Sequence, residues 1–205
     1  VEMNNVLGDA HVRSILAGAA VASQMGVEIS DIARNLKKYV PMPGRMRLIG
    51  GIKHSLLLDD SYNSSPEAVH AALDALGSFP ITNSSKRIAV LGDMLELGRY
   101  AEQAHVEVGK HVAGQPIDLL VTVGEFSRDI ARGALAGGMD QGKVFTYATS
   151  PDAGRFVQDR MTKGDVVLIK GSQGVRMEKI SKELMAEPLR AKELLVRQSD
   201  KWLSK

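Results

Sequence analysis

Apolar residues fall into two rhythms along the chain, with a break at Pro41 to Gly44. Before the break the period is helical. In VRSILAGAAVASQMG, Ile15, Leu16, Ala19, Ala20 and Ala22 make an apolar, alanine-rich face, and Gly26 stands where the helix would stop. In SDIARNLKKY, Ile32, Ala33 and Leu36 repeat at the same spacing, with Lys37 and Lys38 in the last turn, where cations oppose the helix dipole. PMPG then interrupts the pattern and reads as a linker.

Beyond it, short apolar runs alternate with helical stretches. MRLIGGIKHSLLLDD predicts a hairpin turning at Gly50 and Gly51, its second arm wholly apolar. PEAVHAALDALG predicts a helix with Val69, Ala72, Leu73 and Leu76 on one stripe. The pairs that follow are RIAVLG with YAEQAHVEVGKHVAG, IDLLVTVG with SRDIARGALAGG, KVFTY with PDAGRFVQDRM, and DVVLIKG with RMEKISKELMA. Apolar strands alternating with helices predict an α/β fold, a mostly parallel sheet with helices on both faces. Ligands in such sheets sit beyond the carboxyl ends of the strands. The tail, PLRAKELLVRQSDKWLSK, reads as one more amphipathic helix with Leu189, Leu194, Leu195 and Trp202 on its apolar side.

Composition changes this picture little. The 205 residues are 44% hydrophobic and 24% charged, ordinary for a globular protein. A net charge of +2 gives no global field for nucleic acid. With no cysteine there is neither disulfide nor thiolate metal site, which fits a reducing cytoplasm. No apolar run approaches the ~20 residues that span a bilayer. The first residue is Val1, not methionine, which fits one part of a longer protein. The five histidines show no zinc spacing: His54, His70 and His111 read as surface or satisfied positions, and His105 as a packing residue.

The chemistry gathers at three strand ends. The first is Asp59-Asp60-Ser61-Tyr62-Asn63. Ser64 or Ser65 can cap the next helix, with Pro66 and Glu67 in its first turn. Capping does not explain Asp60, because a carboxylate ending a buried strand needs a partner, such as ribose hydroxyls or magnesium. A cap and a binding site are both open readings. The second is LGDMLELG, where Gly92 and Gly98 bracket Asp93 and Glu96; it is either a shaped loop or solvated acidic surface. The third is KGSQGVR, where backbone N–H groups near Lys170 and Arg176 make an anion site. The phosphate-gripping pattern GxxxxGK[ST] is absent.

In order, GRM at Gly44 to Met46, LLLDDSYNSSPEAV, LGDMLELG with His105 downstream, and VLIKGSQGVRME resemble the Mur ligases. The branch most similar adds D-alanyl-D-alanine to UDP-N-acetylmuramoyl-tripeptide in peptidoglycan synthesis, in the cytoplasm. The resemblance implies that residues 1–41 end a central ATPase domain, that 44–187 form a Rossmann-like C-terminal domain, and that 188–205 are a helical extension. It implies a reaction in which ATP phosphorylates the peptide carboxylate and the amine then displaces phosphate, with Mg2+ held mainly by protein outside this sequence. By position, Arg45 and Asp60 match nucleotide-binding residues, and Tyr62 and Asn63 share that motif. Asp93, Glu96, Lys170, Ser172 and Arg176 match the face towards the amino-acid substrate. No catalytic residue or metal ligand is assigned within the chain.

The sequence departs from the family pattern at Ala10-His11 and Ser14, where relatives carry HN and a second Asn; His11 is placed against adenine. The tail also runs past the usual family ending. On this reading the chain does not ligate alone, and Asp60→Ala raises the KM for ATP with folding intact. The other readings are a different Mur or folylpolyglutamate-type ligase, whose strand-end motifs differ from DDSYN and GDMLELG, and a stand-alone Rossmann-like binding module.

Overall fold

The computed structural model describes residue 3 and residues 6–204. β1 (Arg47–Gly50) and β2 (Leu56–Asp60) form the hairpin, joined through a single 3-10 turn at Ile52–His54. β2 then opens a parallel set with β3 (Arg87–Gly92), β4 (Leu119–Val123), β5 (Val144–Tyr147) and β6 (Val166–Lys170). The spatial order is β1-β2-β6-β3-β4-β5, and of these only β1 runs antiparallel. The last strand therefore inserts between the first two of the parallel set. That insertion makes Asp60 and Lys170 register partners although 110 residues separate them.

Helices α3 (Pro66–Ser78), α4 (Ala101–Ala113) and α5 (Arg128–Ala136) cover one face, and α6 (Ser150–Arg160) and α7 (Glu178–Leu184) the other. Strand alternation sorts the core between them. Leu58, Leu91, Leu120 and Leu168 meet Leu73, Leu76, Val108 and Ile130. Leu57, Val90, Val121 and Ile169 meet Val157, Ile180 and Leu184. A strand buried on both faces has no polar side, so β6 is apolar from Val166 to Ile169 and reaches a charge only at its tip, Lys170. Each such side chain contributes about 1.5–3 kcal/mol by leaving water. Pro66 starts α3, whose cap is Ser65, accepting the Ala68 N–H at 3.3 Å. Helices α4 and α5 touch backbone to backbone: a Cβ on Gly133 would stand 2.1 Å from the Val106 carbonyl oxygen. Only glycine permits that approach.

The crossover through α6 returns the chain across the sheet on the face opposite α3–α5. The carboxyl ends of β2, β6 and β3 therefore open together where the strand order reverses, the expected ligand position.

The chain ends differ from the sequence reading in detail. α1 (Asp9–Gln24) and α2 (Ile29–Leu36) form, but Leu16 of the expected apolar face is 62% exposed. The tail is not one helix. Pro188–Arg190 and Ala191–Leu194 are single turns, the chain extends at Leu195, Arg197 takes a left-handed φ of 58°, and Asp200–Leu203 is a final turn. Leu195 is buried against the sheet while Leu189 is 99% exposed, so helical spacing mis-assigned Leu189. Packing across strand ends outweighed the helical periodicity. Lys205 lies outside the described residues, as do residues 1, 2, 4 and 5 of the expected 1–41 segment.

Candidate functional site

Period two sends the adjacent carboxylates of β2 to opposite faces. Asp59 lies on the α7 side, fully buried. It accepts the Gly44 N–H at 3.0 Å and the Ser181 hydroxyl at 2.7 Å. Burial pushes its pKa up to about 6 against those hydrogen bonds, which pull it down. Asp60 accepts the Met46 N–H at 3.0 Å and pairs with Lys170 Nζ at 2.6 Å. Lys170 is buried and also donates to the Asn63 carbonyl at 3.0 Å. The two carboxylates thus bolt residues 44–46 onto the strand end. Gly44 makes this possible: its φ is 68°, and a Cβ would lie 2.9 Å from the Tyr62 nitrogen.

Two adjoining clefts open from this point. The first, of about 450 Å³, lies between α1, the segment after α2, the start of α3 and the tips of β2 and β6, and is lined by His11, Tyr39, Arg45, Asp60, Asn63 and Lys170 among others. His11 donates from Nε2 to the Arg45 carbonyl at 2.9 Å and so accepts the Tyr39 hydroxyl at Nδ1, 3.0 Å away. The Arg45 guanidinium stacks 4.1 Å from the Tyr62 ring centroid. Four of the five expected nucleotide residues line this cleft, and Tyr62 adjoins it through Arg45. Lys170, assigned from the sequence to the amino-acid side, lines it too.

The second cleft, of about 720 Å³, is lined by Glu96, Ser172 and Arg176, with Trp202 from the tail. Asn63, Ser64 and Ser65 belong to both clefts, so α3 begins on the wall between them. The Ser172 hydroxyl accepts the Leu95 N–H at 2.9 Å. Glu96 takes a φ of 67°, unusual for a residue with a side chain. The fully buried His105 holds this loop: Nε2 accepts the Met94 N–H at 2.9 Å, and Nδ1 donates to the Ala101 carbonyl at 2.6 Å. It is a polar brace as well as a packing residue.

Asp93 does not join them. Its carboxylate is buried and accepts the Ser127 N–H at 2.7 Å and the Glu125 N–H at 3.2 Å, tying the β3 loop to the turn before α5. Both oxygens serve the backbone, and Asp93 lines a separate surface hollow and neither of the two clefts.

Several residues escaped the sequence reading. Ser64 was read as a possible cap; Ser65 is the cap, and Ser64 Oγ is buried with no protein hydrogen bond. The buried Glu178 pairs with Arg176 at 2.5 Å and Arg197 at 3.4 Å. Arg197 also donates to the Ser61 carbonyl at 3.0 Å and the Tyr62 carbonyl at 2.5 Å. Nothing local in the sequence marks these contacts. Among the described residues no three His, Cys, Asp or Glu side chains converge as metal ligands, and no helix is long and apolar enough to cross a membrane.

This strand order, with two clefts at the carboxyl ends of β2, β6 and β3, is that of an open α/β domain whose clefts lie where the strand order reverses. Residues 44–173 match the family model for the Mur ligase, glutamate ligase domain, and the chain belongs to the Mur ligase family. It is 33% identical over 184 residues to the UDP-N-acetylmuramoyl-tripeptide--D-alanyl-D-alanine ligase of Bacillus subtilis, covering 90% of this chain and 40% of that protein. The Escherichia coli enzyme of the same name is 31% identical, covering 86% and 37%. Among solved structures, MurF from Acinetobacter baumannii aligns with a TM-score of 0.74 at 29% identity, covering 85% of this chain and 37% of that one. MurF from Thermotoga maritima in complex with ADP aligns at 0.66 and 29%, covering 82% and 36%. The chain thus spans about 40% of the length of the relatives it matches.

Proposed function

We propose that this chain is the C-terminal part of an ATP-dependent ligase that adds D-alanyl-D-alanine to UDP-N-acetylmuramoyl-tripeptide in cytoplasmic peptidoglycan synthesis. In this reading residues 1–41 finish a central ATPase domain, 44–187 close over the nucleotide, and 188–205 are an extension laid across the strand ends. The observation that carries it is the convergence of His11, Arg45, Asp60, Asn63 and Lys170 on one cleft. The names of the relatives and the ADP in one of their structures support the same nucleotide and substrates.

The residues fit part of an ATP site. Arg45 supplies a cation to phosphate, and His11 a ring face for the base. Asp60 uses two acceptor positions for Met46 and Lys170, leaving lone pairs for ribose hydroxyls. The orphaned Ser64 hydroxyl and the first N–H groups of α3 are donors on the wall between nucleotide and amine. Bound ATP transfers its γ-phosphoryl group to the tripeptide carboxylate, giving acyl phosphate and ADP. The dipeptide amine attacks the carbonyl carbon, the C–O bond to phosphate breaks, and the amine proton leaves to solvent as the amide forms. This chain orients the reactants and, on closing, excludes water. Mg2+, held mainly by protein outside this chain in this reading, would neutralise the phosphate charge.

The test is ligation by the complete ligase that carries this chain, offered D-alanyl-D-alanine or single amino acids with UDP-N-acetylmuramoyl-tripeptide. Phosphate release with the dipeptide, and none from the 205 residues alone, is expected. Equal use of a single amino acid contradicts the substrate assignment. An upstream reading frame lacking GxxxxGK[ST] contradicts the ligase reading and favours a stand-alone binding module.

A further inference from the structure

Five side chains from three distant parts of the sequence stack across the strand ends as alternating cations and rings. Arg45 lies 4.1 Å from the Tyr62 ring centroid, and Arg197 lies 5.6 Å from the same centroid. Arg197 is also 5.7 Å from the Trp202 ring, and Arg176 is 5.2 Å from it. The series begins in the first cleft, which Arg45 lines, and ends in the second, which Trp202 and Arg176 line. Its third and fourth members, Arg197 and Trp202, come from the tail.

The tail is held as a built element. The Arg197 side chain is 5% exposed, and the buried Glu178 carboxylate pairs with both it and Arg176. Arg197 donates to two carbonyls of the DDSYN turn, and Arg176 to the Trp202 carbonyl at 3.0 Å. Val196 packs over Gly44, where a Cβ would come within 2.9 Å of its Cγ1. A left-handed backbone at Arg197 is retained only because these contacts over-determine it. A tail serving only to cover apolar surface needs Leu195, not a buried arginine and a ring standing in a cleft wall.

We propose that Arg197 and Trp202 are positioning residues that couple the two clefts: Arg197 sets Tyr62 and through it Arg45, while Trp202 sets Arg176 and forms a wall of the second cleft. This inference rests on the proposed ligase reading for what the clefts bind, but the stack itself can be tested without that reading. A cation displaced towards phosphate in the first cleft leaves the Tyr62 ring, and Arg197 and Trp202 adjust in turn. Occupancy of one cleft is thereby felt in the other, as a contiguous packed series with two arrangements requires.

Trp202 is the sole tryptophan of the sequence, so its emission reads the far end of the stack directly. In the 205-residue protein, Tyr62→Leu is expected to red-shift Trp202 emission and raise its acrylamide quenching constant about twofold, with the circular dichroism unchanged. Unaltered emission and quenching would overturn the coupling. In the complete ligase, Trp202→Ala is expected to raise the KM for both ATP and D-alanyl-D-alanine about fivefold, and Trp202→Phe to restore both. A change in only one KM, or none, overturns the proposal. A wild-type ligase without activity overturns the ligase reading, and the emission of the Tyr62 variant then still decides whether the stack is coupled.

Discussion

Lys170 and Asp60 stand opposite each other in the register of β6 and β2, and their side chains close a 2.6 Å ion pair at the strand tips. Lys170 is 3% exposed and Asp60 15%, so each is the other's main relief from burial. Asp60→Ala therefore does more than raise the KM for ATP. It strands a buried ammonium and is expected to cost roughly 3 kcal/mol in urea unfolding. Adding Lys170→Met should return most of that loss. Additive losses in the double variant would contradict the pairing.

Asp59 sets a pH dependence of opposite sign to that of an ordinary ion-paired carboxylate. It ionises at 3.8 in an unperturbed chain and at about 6 in the fold, chiefly because it is buried. Between those values the native state holds the proton more tightly. Its contribution is full below pH 4, is lost as pH rises, and levels off above pH 6, an amplitude of about 3 kcal/mol. Asp59→Asn can still accept from Gly44 and donate to Ser181, so it should flatten stability measured from pH 4 to 6. An unchanged profile would sink the assignment.

His105→Leu should keep the core filled but leave the Met94 N–H without its acceptor. A cost of about 1–3 kcal/mol is expected, with faster amide exchange in residues 94–97 than in β3. Exchange left as in the wild type would reduce His105 to a space-filler.

Gly44→Ala places a methyl group against the Tyr62 nitrogen and Val196 in a left-handed backbone. A loss of roughly 2–4 kcal/mol is expected by thermal or urea unfolding. A neutral substitution would mean that residues 44–46 are not pinned to β2.

Much of this was legible. Apolar runs such as VVLIK and RIAVLG announce buried parallel strands, and Pro66 with Ser65 announces the start of α3. The hairpin at Gly50 followed from local order, and the grouping of Arg45, Asp60 and Asn63 from the resemblance to the Mur ligases. What was hidden depends on strand order. No local rule says that β6 enters beside β2, so Lys170 was assigned away from its partner Asp60. The DD pair in fact carried a signal, since period two must send one carboxylate to each face, but only the packed α7 gives Asp59 its Ser181. Asp93 followed the same course, its carboxylate held by the N–H groups of a turn more than 30 residues away. The tail kept its helical spacing yet unwound, because Arg197 gains more from Glu178 and two carbonyls than from another helical turn.

The central claim is that the first cleft supplies part of an ATP site, and Arg45 tests it most directly because its side chain is exposed and carries no core packing. Steady-state kinetics of the complete ligase with Arg45→Ala should show a KM for ATP raised about tenfold or more, the loss of one charge-assisted contact, with the unfolding midpoint unchanged. A KM for ATP equal to that of the unsubstituted enzyme would contradict the account.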